Sequence, residues 1–380
     1  MAVIVTALGL VLRFCGMNFE SGDFQSFLNP WWFKIQAGGF GDLSTQVGNY
    51  NIPYQIVIFL MSRTGIKPLL AYKLLSVIFD VVLAVSAGLL ASEACKKKSS
   101  FLPLAVYSVV FCSLTVIFNS AFWAQCDSIY VSFILLAIYF TMKDRHITAF
   151  VMLGIALAFK LQVVFILPAF FYYYFTSKKI SLLNFLLIPA VDIVMCLPAV
   201  FAGRPFADIF IIYAEQTDYG KLIQMNYPNI YAFMCDGGNT VYYSLFKGFS
   251  IALTMIILCV GLLLVIRCKT DMTDLRTFLA VSIWTAFTCL MFLSSMHERY
   301  SYLLDVLLII YALSYRRHFV PLAICSLISL RGYCFYLFDG FEALPLKITA
   351  VINIGVYLYL TFCFVRYILN EKKADTVAAV

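Results

Sequence analysis

Long apolar runs decide which solvent this chain folds in. Residues 249–266 contain no charged side chain, and several other runs approach the roughly 17–25 residues that a helix needs to cross a bilayer. The whole chain is 63% hydrophobic and only 12% charged, whereas soluble domains carry about 25% charged residues. The sequence therefore predicts an integral membrane protein rather than a soluble domain with one anchor.

Hydropathy along residues 1–370 predicts an all-α, polytopic bundle of about twelve transmembrane helices, followed by a short tail at 371–380. The predicted spans lie at about 1–17, 68–93, 101–117, 129–141, 147–159, 162–175, 182–201, 249–266, 277–294, 301–314, 319–337 and 348–369. The fifth and sixth are short, so they form either a tilted hairpin or one broken helix. Residues 52–61 are too few to span and are predicted to be interfacial or re-entrant.

Basic residues predict the orientation of the bundle. With a cytoplasmic N-terminus, every compact basic cluster lies in the cytoplasm, as the positive-inside rule requires. The clusters are Lys96-Lys97-Lys98, Lys143/Arg145, Lys178/Lys179, Arg267/Lys269/Arg276, Arg316/Arg317 and Lys372/Lys373. Two large loops, at 18–67 and 202–247, then lie outside, and the tail is cytoplasmic. These clusters account for the net charge of +7, so the sequence indicates no nucleic-acid partner.

The first outer loop contains a predicted amphipathic helix at Asp23–Gln36. Its large apolar residues recur at helical spacing, and Trp and Phe along one side favour a position on the membrane surface. These residues are Phe24, Phe27, Leu28, Trp31, Trp32 and Ile35.

The tetrad His297-Glu298-Arg299-Tyr300 separates two predicted spans. Ionisable residues at a membrane boundary are costly unless they face water, a partner or a ligand, so they mark a candidate functional site. Arg299 and His297 offer a cation and a hydrogen-bond donor, and a planar guanidinium suits phosphate recognition. The alternative is a solvated turn anchored by Tyr300.

Carboxylates on the same side are candidates for acid–base chemistry. Glu20 and Asp23 follow the first predicted span, and either can take a proton from a hydroxyl as general base. Alternatively, Ser21 or Asp23 caps the helix that follows. Asp127 lies at the outer edge of a later span, where it is either a site residue or the N-cap of that span.

For four other charged residues, a structural explanation stands beside a functional one. Lys73 and Asp80 lie seven residues apart in one predicted span, either as a buried pair that orients the bundle or as groups that carry chemistry. Lys160 and Arg331 lie near outer span ends, where long side chains reach water while their stems stay in lipid.

The sequence predicts no metal or cofactor site. The three histidines, His146, His297 and His318, are dispersed, and no CxxC motif occurs. No GxxxxGK[ST] loop is present either, so nothing indicates an ATP-driven transporter.

Three stretches together resemble the GT-C superfamily of polytopic glycosyltransferases, which use polyprenyl-phosphate sugars as donors. Glu20-Ser21-Gly22-Asp23 opens a long first outer loop, as in that superfamily. Phe122–Tyr130 and Met296–Tyr300 are similar to the "HFQYN" and "HEK" regions of dolichyl-phosphate-glucose-dependent glucosyltransferases. They are more similar to bacterial mannosyltransferase-like relatives that read W-x-Q-x-D-S-I-Y and M-H-E-R-Y. Two features depart from the pattern. Many relatives carry an Asp-Asp or Glu-rich motif in the first loop, and the spacing here leaves Glu20 a rival to Asp23; the basic residue at the "HEK" position is Arg299 rather than Lys.

The resemblance implies an inverting transfer of one hexose, such as glucose or mannose, on the extracytoplasmic face of a bacterial plasma membrane. The donor would be a polyprenyl-phosphate sugar, and the acceptor a glycan, a glycolipid or a protein. Asp23, or Glu20, would be the base, and Arg299 with His297 would hold the donor phosphate. Four more residues would contact substrates: Gln125, Asp127, Glu298 and Tyr300. The alternatives are a transporter or flippase of a lipid-linked saccharide and a non-catalytic scaffold.

Overall fold

The structure is a computed structural model that describes residues 2–95, 101–234 and 242–378. Within those ranges the chain is all-helical, with sixteen α-helices and no β-strand. The first eight are α1 (Ala2–Phe14), α2 (Asn29–Gly38), α3 (Ile52–Ser62), α4 (Pro68–Glu93), α5 (Leu102–Phe111), α6 (Leu114–Ile117), α7 (Asp127–Met142) and α8 (His146–Phe159). The others are α9 (Leu167–Ser177), α10 (Leu187–Phe201), α11 (Asp208–Thr217), α12 (Tyr243–Arg267), α13 (Leu275–Phe292), α14 (Tyr302–Tyr315), α15 (Phe319–Leu337) and α16 (Leu346–Ala378).

Some predicted features lie outside these ranges. They are the basic cluster Lys96-Lys97-Lys98, residues 235–241 of the second outer loop and the last two residues of the tail. The backbone of 371–378, which the sequence assigns to the tail, continues helix α16.

Six helices of the described residues are long and apolar enough to cross a membrane. They are α4, Leu182–Phe201, α12, α13, α15 and Leu346–Asn370. The bent pair of α5 and Leu114–Phe122 makes a seventh if it forms one span. Six further apolar helices are shorter: α1, α3, α7, α8, Leu161–Ser177 and α14. The predicted helical membrane protein is thus confirmed in its coarse form, whereas the count of twelve spans stays a prediction.

The chain divides into two compact units. The first comprises Met1–Ser92, Ser99–Val163 and Leu182–Tyr219; the second comprises Glu93–Lys98, Val164–Ser181 and Gly220–Val380. Helix α8 packs on α7 and α10 in the first unit, and α9 packs on α12 and α13 in the second. The two short predicted spans are therefore separate helices with different packing partners.

The predicted first outer loop, residues 18–67, is mostly helical. A π-helical turn at Phe24–Leu28 leads into α2, and a 3₁₀ turn at Gly39–Ser44 separates α2 from α3. One face of this segment is buried in a cluster that also contains Tyr54 and Tyr72. The buried residues on that face are Phe24, Leu28, Trp32 and Ile35. A helix at the predicted place is therefore present, with one face packed on protein, while its location on a membrane surface stays a prediction.

Charged residues inside α4 bind to α1 and to the residues that follow it. The guanidinium of Arg13 lies 2.8 Å from the Asp80 carboxylate, and the Ser120 hydroxyl donates to the same oxygen at 2.5 Å. The Lys73 ammonium donates to the carbonyl oxygen of Gly16 at 2.7 Å. Because buried charges are strongly unfavourable without partners, these contacts favour the view that Lys73 and Asp80 orient the bundle. Each does so through another element rather than through the other residue.

Candidate functional site

The Asp23 carboxylate lies against the Trp-Ala-Gln stretch of the first unit. The indole Nε1 of Trp123 donates to Asp23 Oδ2 at 2.8 Å, and the Gln125 amide Nε2 donates to the same oxygen at 2.9 Å. The donors lie 100 and 102 positions further along the chain. Two N–H donors on one oxygen fix the direction of the carboxylate.

Ser21, not Asp23, caps the helical segment. The Ser21 hydroxyl oxygen accepts from the backbone N–H of Phe24 at 3.2 Å and donates to the carbonyl oxygen of Trp123 at 3.0 Å. Of the two capping interpretations, the one that assigns Asp23 is therefore wrong. The Asp23 carboxylate instead accepts from Trp123 and Gln125.

Glu20 and Asp23 have different surroundings although they are three residues apart. Glu20 is exposed, and its carboxylate accepts from the Gln25 amide at 3.3 Å. Asp23 is half-buried and bound to Trp123 and Gln125. The structure thus places Asp23, rather than Glu20, beside Trp123 and Gln125 of the Phe122–Tyr130 motif.

Tyr50 is a site residue that the sequence reasoning missed. Its hydroxyl donates to Gln125 Oε1 at 2.5 Å, so the amide that binds Asp23 is held at both ends. The aromatic ring sits two residues after Gly48, whose φ of +77° marks a sharp turn. An aromatic residue just after such a turn was a weak signal, since its partner lies 75 residues away.

Asp127 and Lys160 form a buried ion pair next to Tyr50. Asp127 is 2% exposed, and its two oxygens bind the Asn119 amide (2.7 Å) and the Lys160 ammonium. The ammonium also lies 5.7 Å from the centre of the Tyr50 ring and 5.9 Å from that of Tyr130. Asp127 is the first residue of α7 rather than its N-cap, so the capping interpretation is wrong. Its carboxylate instead fixes Lys160.

Lys160 and Arg331 do not extend their charged ends into water from stems in lipid. This interpretation, called snorkelling, is therefore wrong for both residues. Snorkelling leaves the charged head in water, but Lys160 is 8% exposed and Arg331 is 7% exposed. In the second unit, the Arg331 guanidinium binds the Glu342 carboxylate and donates to the carbonyl oxygen of Leu344 at 3.2 Å.

The His-Glu-Arg-Tyr tetrad lies in the second unit, where it pairs with another loop. The backbone of His297 forms isolated bridges with Met225 and Asn226. Glu298 is 4% exposed, and its carboxylate lies 3.8 Å from His297 Nδ1. The rings of His297 and Tyr300 are 5.2 Å apart. The backbone N–H of Tyr300 donates to the carbonyl oxygen of His297 at 3.0 Å, so the tetrad forms a turn in which Glu298 is buried and the other three residues are partly exposed. Both the candidate site and the solvated turn fit these contacts.

Helix α15 packs closely against the same tetrad. A Cβ atom at Gly332 would lie 2.7 Å from the Cβ of Glu298, so a larger residue there would displace the tetrad. The hydroxyls of Ser301 and Ser329 lie 2.8 Å apart. The carbonyl oxygen of Arg299 accepts from the first backbone N–H of α14 at 3.1 Å. The two sides of the tetrad are therefore held by two helices.

The predicted site residues form two groups. The first unit holds Glu20, Asp23, Gln125 and Asp127, and the second holds His297, Glu298, Arg299 and Tyr300. Within the first unit, Tyr50 joins the Asp23 contacts to the Lys160–Asp127 pair. The chemistry available there is a carboxylate with fixed direction, connected through Gln125 and Tyr50 to a buried ion pair.

Neither a model of a known protein family nor a curated protein matches this chain.

Proposed function

We propose that this protein is a GT-C-type glycosyltransferase. It transfers one hexose from a polyprenyl-phosphate donor to a glycan, glycolipid or protein acceptor, with inversion at the anomeric carbon. The observation that carries the proposal is the contact of Asp23 with Trp123 and Gln125. Two of the motifs on which the resemblance rests, far apart in the sequence, thereby meet at one carboxylate.

In the proposed reaction, Asp23 takes the proton of the acceptor hydroxyl as general base. The hydroxyl oxygen attacks the anomeric carbon from the side opposite the phosphate, and a glycosidic bond forms. The bond between that carbon and the phosphate oxygen breaks, and its electron pair leaves with the polyprenyl phosphate. Trp123 and Gln125 hold the carboxylate in one direction, so little reorganisation is needed during the reaction.

Arg299 and His297 are proposed to hold the phosphate of the donor. A guanidinium gives a phosphate two parallel hydrogen bonds, and such charge-assisted contacts are stronger than neutral ones. Because the leaving phosphate gains charge in the transition state, a cation there stabilises the transition state more than the bound donor.

The proposed membrane arrangement has twelve spans. The six long helices, the bent pair and the shorter apolar helices other than α3 correspond to the twelve predicted segments. Both termini are then cytoplasmic, α3 is a short helix that does not cross, and Asp23 lies on the extracytoplasmic side. The segment Phe24–Leu28 with α2 would lie along the membrane surface on that side.

The test is transfer by purified protein in nanodiscs, with a panel of polyprenyl-phosphate sugars and acceptor glycans. We expect the wild type to form product, and Asp23→Asn to lose about 10²–10⁴-fold in rate, as loss of a general base does. Asp42→Asn, a carboxylate of the same loop, is the matched control and should keep the rate. Near-normal turnover by Asp23→Asn would remove it as the base. A saccharide lipid that crosses the bilayer of proteoliposomes without cleavage would favour a flippase instead.

A further inference from the structure

Residues 47–50 of the first outer loop, the carbonyl loop, are held by side-chain amides. Their four carbonyl oxygens accept, in chain order, from Gln55 (3.0 Å), Gln46 (2.9 Å), Gln216 (2.8 Å) and again Gln46 (2.9 Å). A loop whose successive carbonyls are all bound by side chains has few alternative conformations.

Arg204 in turn holds two of these amides. It is 3% exposed, and its guanidinium donates to Gln55 Oε1 at 3.1 Å and also to Gln46 Oε1. Since Arg204 occupies the two amide oxygens, the NH₂ groups of Gln46 and Gln55 are left to face the carbonyl loop. Asp208 accepts from the Arg204 Nε at 3.3 Å, which holds the guanidinium from the other side.

The carbonyl loop presents the hydroxyl of Tyr50 to the Gln125 amide. An amide has one acceptor and one donor end, so a hydroxyl that donates to Oε1 leaves Nε2 for Asp23. A rotated amide would place its oxygen against the carboxylate oxygen, and two acceptors repel each other. The carboxylate thus sets which end of the amide faces it, and the Tyr50 hydroxyl, by donating to Oε1, holds the other end of the Gln125 amide in place.

We propose that Tyr50 is a positioning residue for the transfer reaction, which it serves by orienting Gln125 and, through it, the Asp23 carboxylate. Arg204 and the carbonyl loop keep Tyr50 in place. This inference rests on the proposed function. Nothing in it requires Tyr50 to touch a substrate, so its loss should affect the chemical step and leave donor binding unchanged.

The test compares Tyr50→Phe with Tyr107→Phe, in nanodiscs and with the donor that the wild type uses. Both changes remove one tyrosine hydroxyl with a hydrogen-bonded partner, since Tyr107 is 2.6 Å from the Thr6 hydroxyl in the same unit. We expect Tyr50→Phe to lower kcat about tenfold with an unchanged KM, because a misdirected base raises the barrier of the chemical step and leaves donor binding as it is. Tyr107→Phe should keep kcat. A loss of Tm with an unchanged kcat would give Tyr50 a structural role only and overturn the proposal.

The contact is also tested from its other end. Gln125→Met removes the amide at similar length and should lower kcat at least as much as Tyr50→Phe. If Tyr50 acts through Gln125, the double variant should be no slower than Gln125→Met alone. Independent losses that multiply would overturn the proposal.

These outcomes separate the inference from the function on which it rests. An active wild type with an unaffected Tyr50→Phe contradicts the role of Tyr50 alone. A wild type without any transfer contradicts the proposed function, and the role of Tyr50 fails with it.

Discussion

Asp23 and Glu20 show how neighbouring residues of one type acquire different capabilities. A carboxylate in water accepts hydrogen bonds from any direction, but the Asp23 oxygen is fixed by an indole and an amide. Glu20 is exposed and bound to a side chain of its own segment. An exposed contact of that kind contributes little energy, so it holds the Glu20 carboxylate less firmly than the two N–H donors hold Asp23.

Glu20→Gln should therefore keep the transfer rate within about threefold of the wild type, a difference of less than 1 kcal/mol. Its turnover is measured in nanodiscs of the same composition as those used for Asp23→Asn. A dead Glu20→Gln beside an active Asp23→Asn would assign the base to Glu20.

Arg299→Ala should raise the donor KM roughly tenfold or more and also lower kcat. Hydrogen bonds to charged groups are worth about 1.5–3 kcal/mol, and the phosphate gains charge as it leaves. Arg299→Lys should recover part of the loss, since the charge survives while the fork of donors is lost. A lower Tm with unchanged donor kinetics would instead make Arg299 a structural residue at the start of α14.

Helices of this chain are joined by buried charges as well as by apolar packing. Asp80 in α4 binds Arg13 in α1, and Asp127 at the start of α7 binds Lys160 just after α8. Breaking such a pair leaves one charge without a partner in a medium of low dielectric constant. We expect these contacts to fix the register of the helices that they join.

Arg13→Met should thus destabilise the protein by about 3–5 kcal/mol, as removal of one partner of a buried pair does. Arg145→Met, an exposed arginine in the loop between α7 and α8, is the matched control and should change little. The double variant Arg13→Met/Asp80→Asn should recover much of the loss, because no charge is then left unpaired. The measurement is the apparent Tm in one detergent; equal Tm values for Arg13→Met and the control would contradict the prediction.

Local signals in the sequence predicted the helices well but could not predict the long-range contacts. Hydropathy placed segments such as 68–93 and 319–337 on the helices Pro68–Glu93 and Phe319–Leu337, because apolar length is a property of neighbouring residues. Lys160 was misread as snorkelling because its partner lies 33 positions away. Tyr50 and Arg204 were missed since their amide partners lie 75 and 149 positions away. Periodicity carries no information about such pairs.

For the whole molecule, the arrangement of basic loops predicts which side each loop faces. A cysteine placed at Ser44 in a cysteine-free background should react with an impermeant reagent from the extracytoplasmic side. A cysteine at Arg145 should react from the cytoplasmic side, which makes it the matched control. Labelling of the Ser44 position from the cytoplasmic side alone would contradict the proposed orientation.

The proposed enzyme breaks the bond between sugar and phosphate. The most direct measurement follows one donor through the reaction of the purified wild type and determines the anomeric configuration of the product by NMR. We predict one polyprenyl phosphate released per sugar transferred, with the configuration inverted relative to the donor. A product with retained configuration, or a donor that stays intact while it moves across the bilayer, would contradict the account.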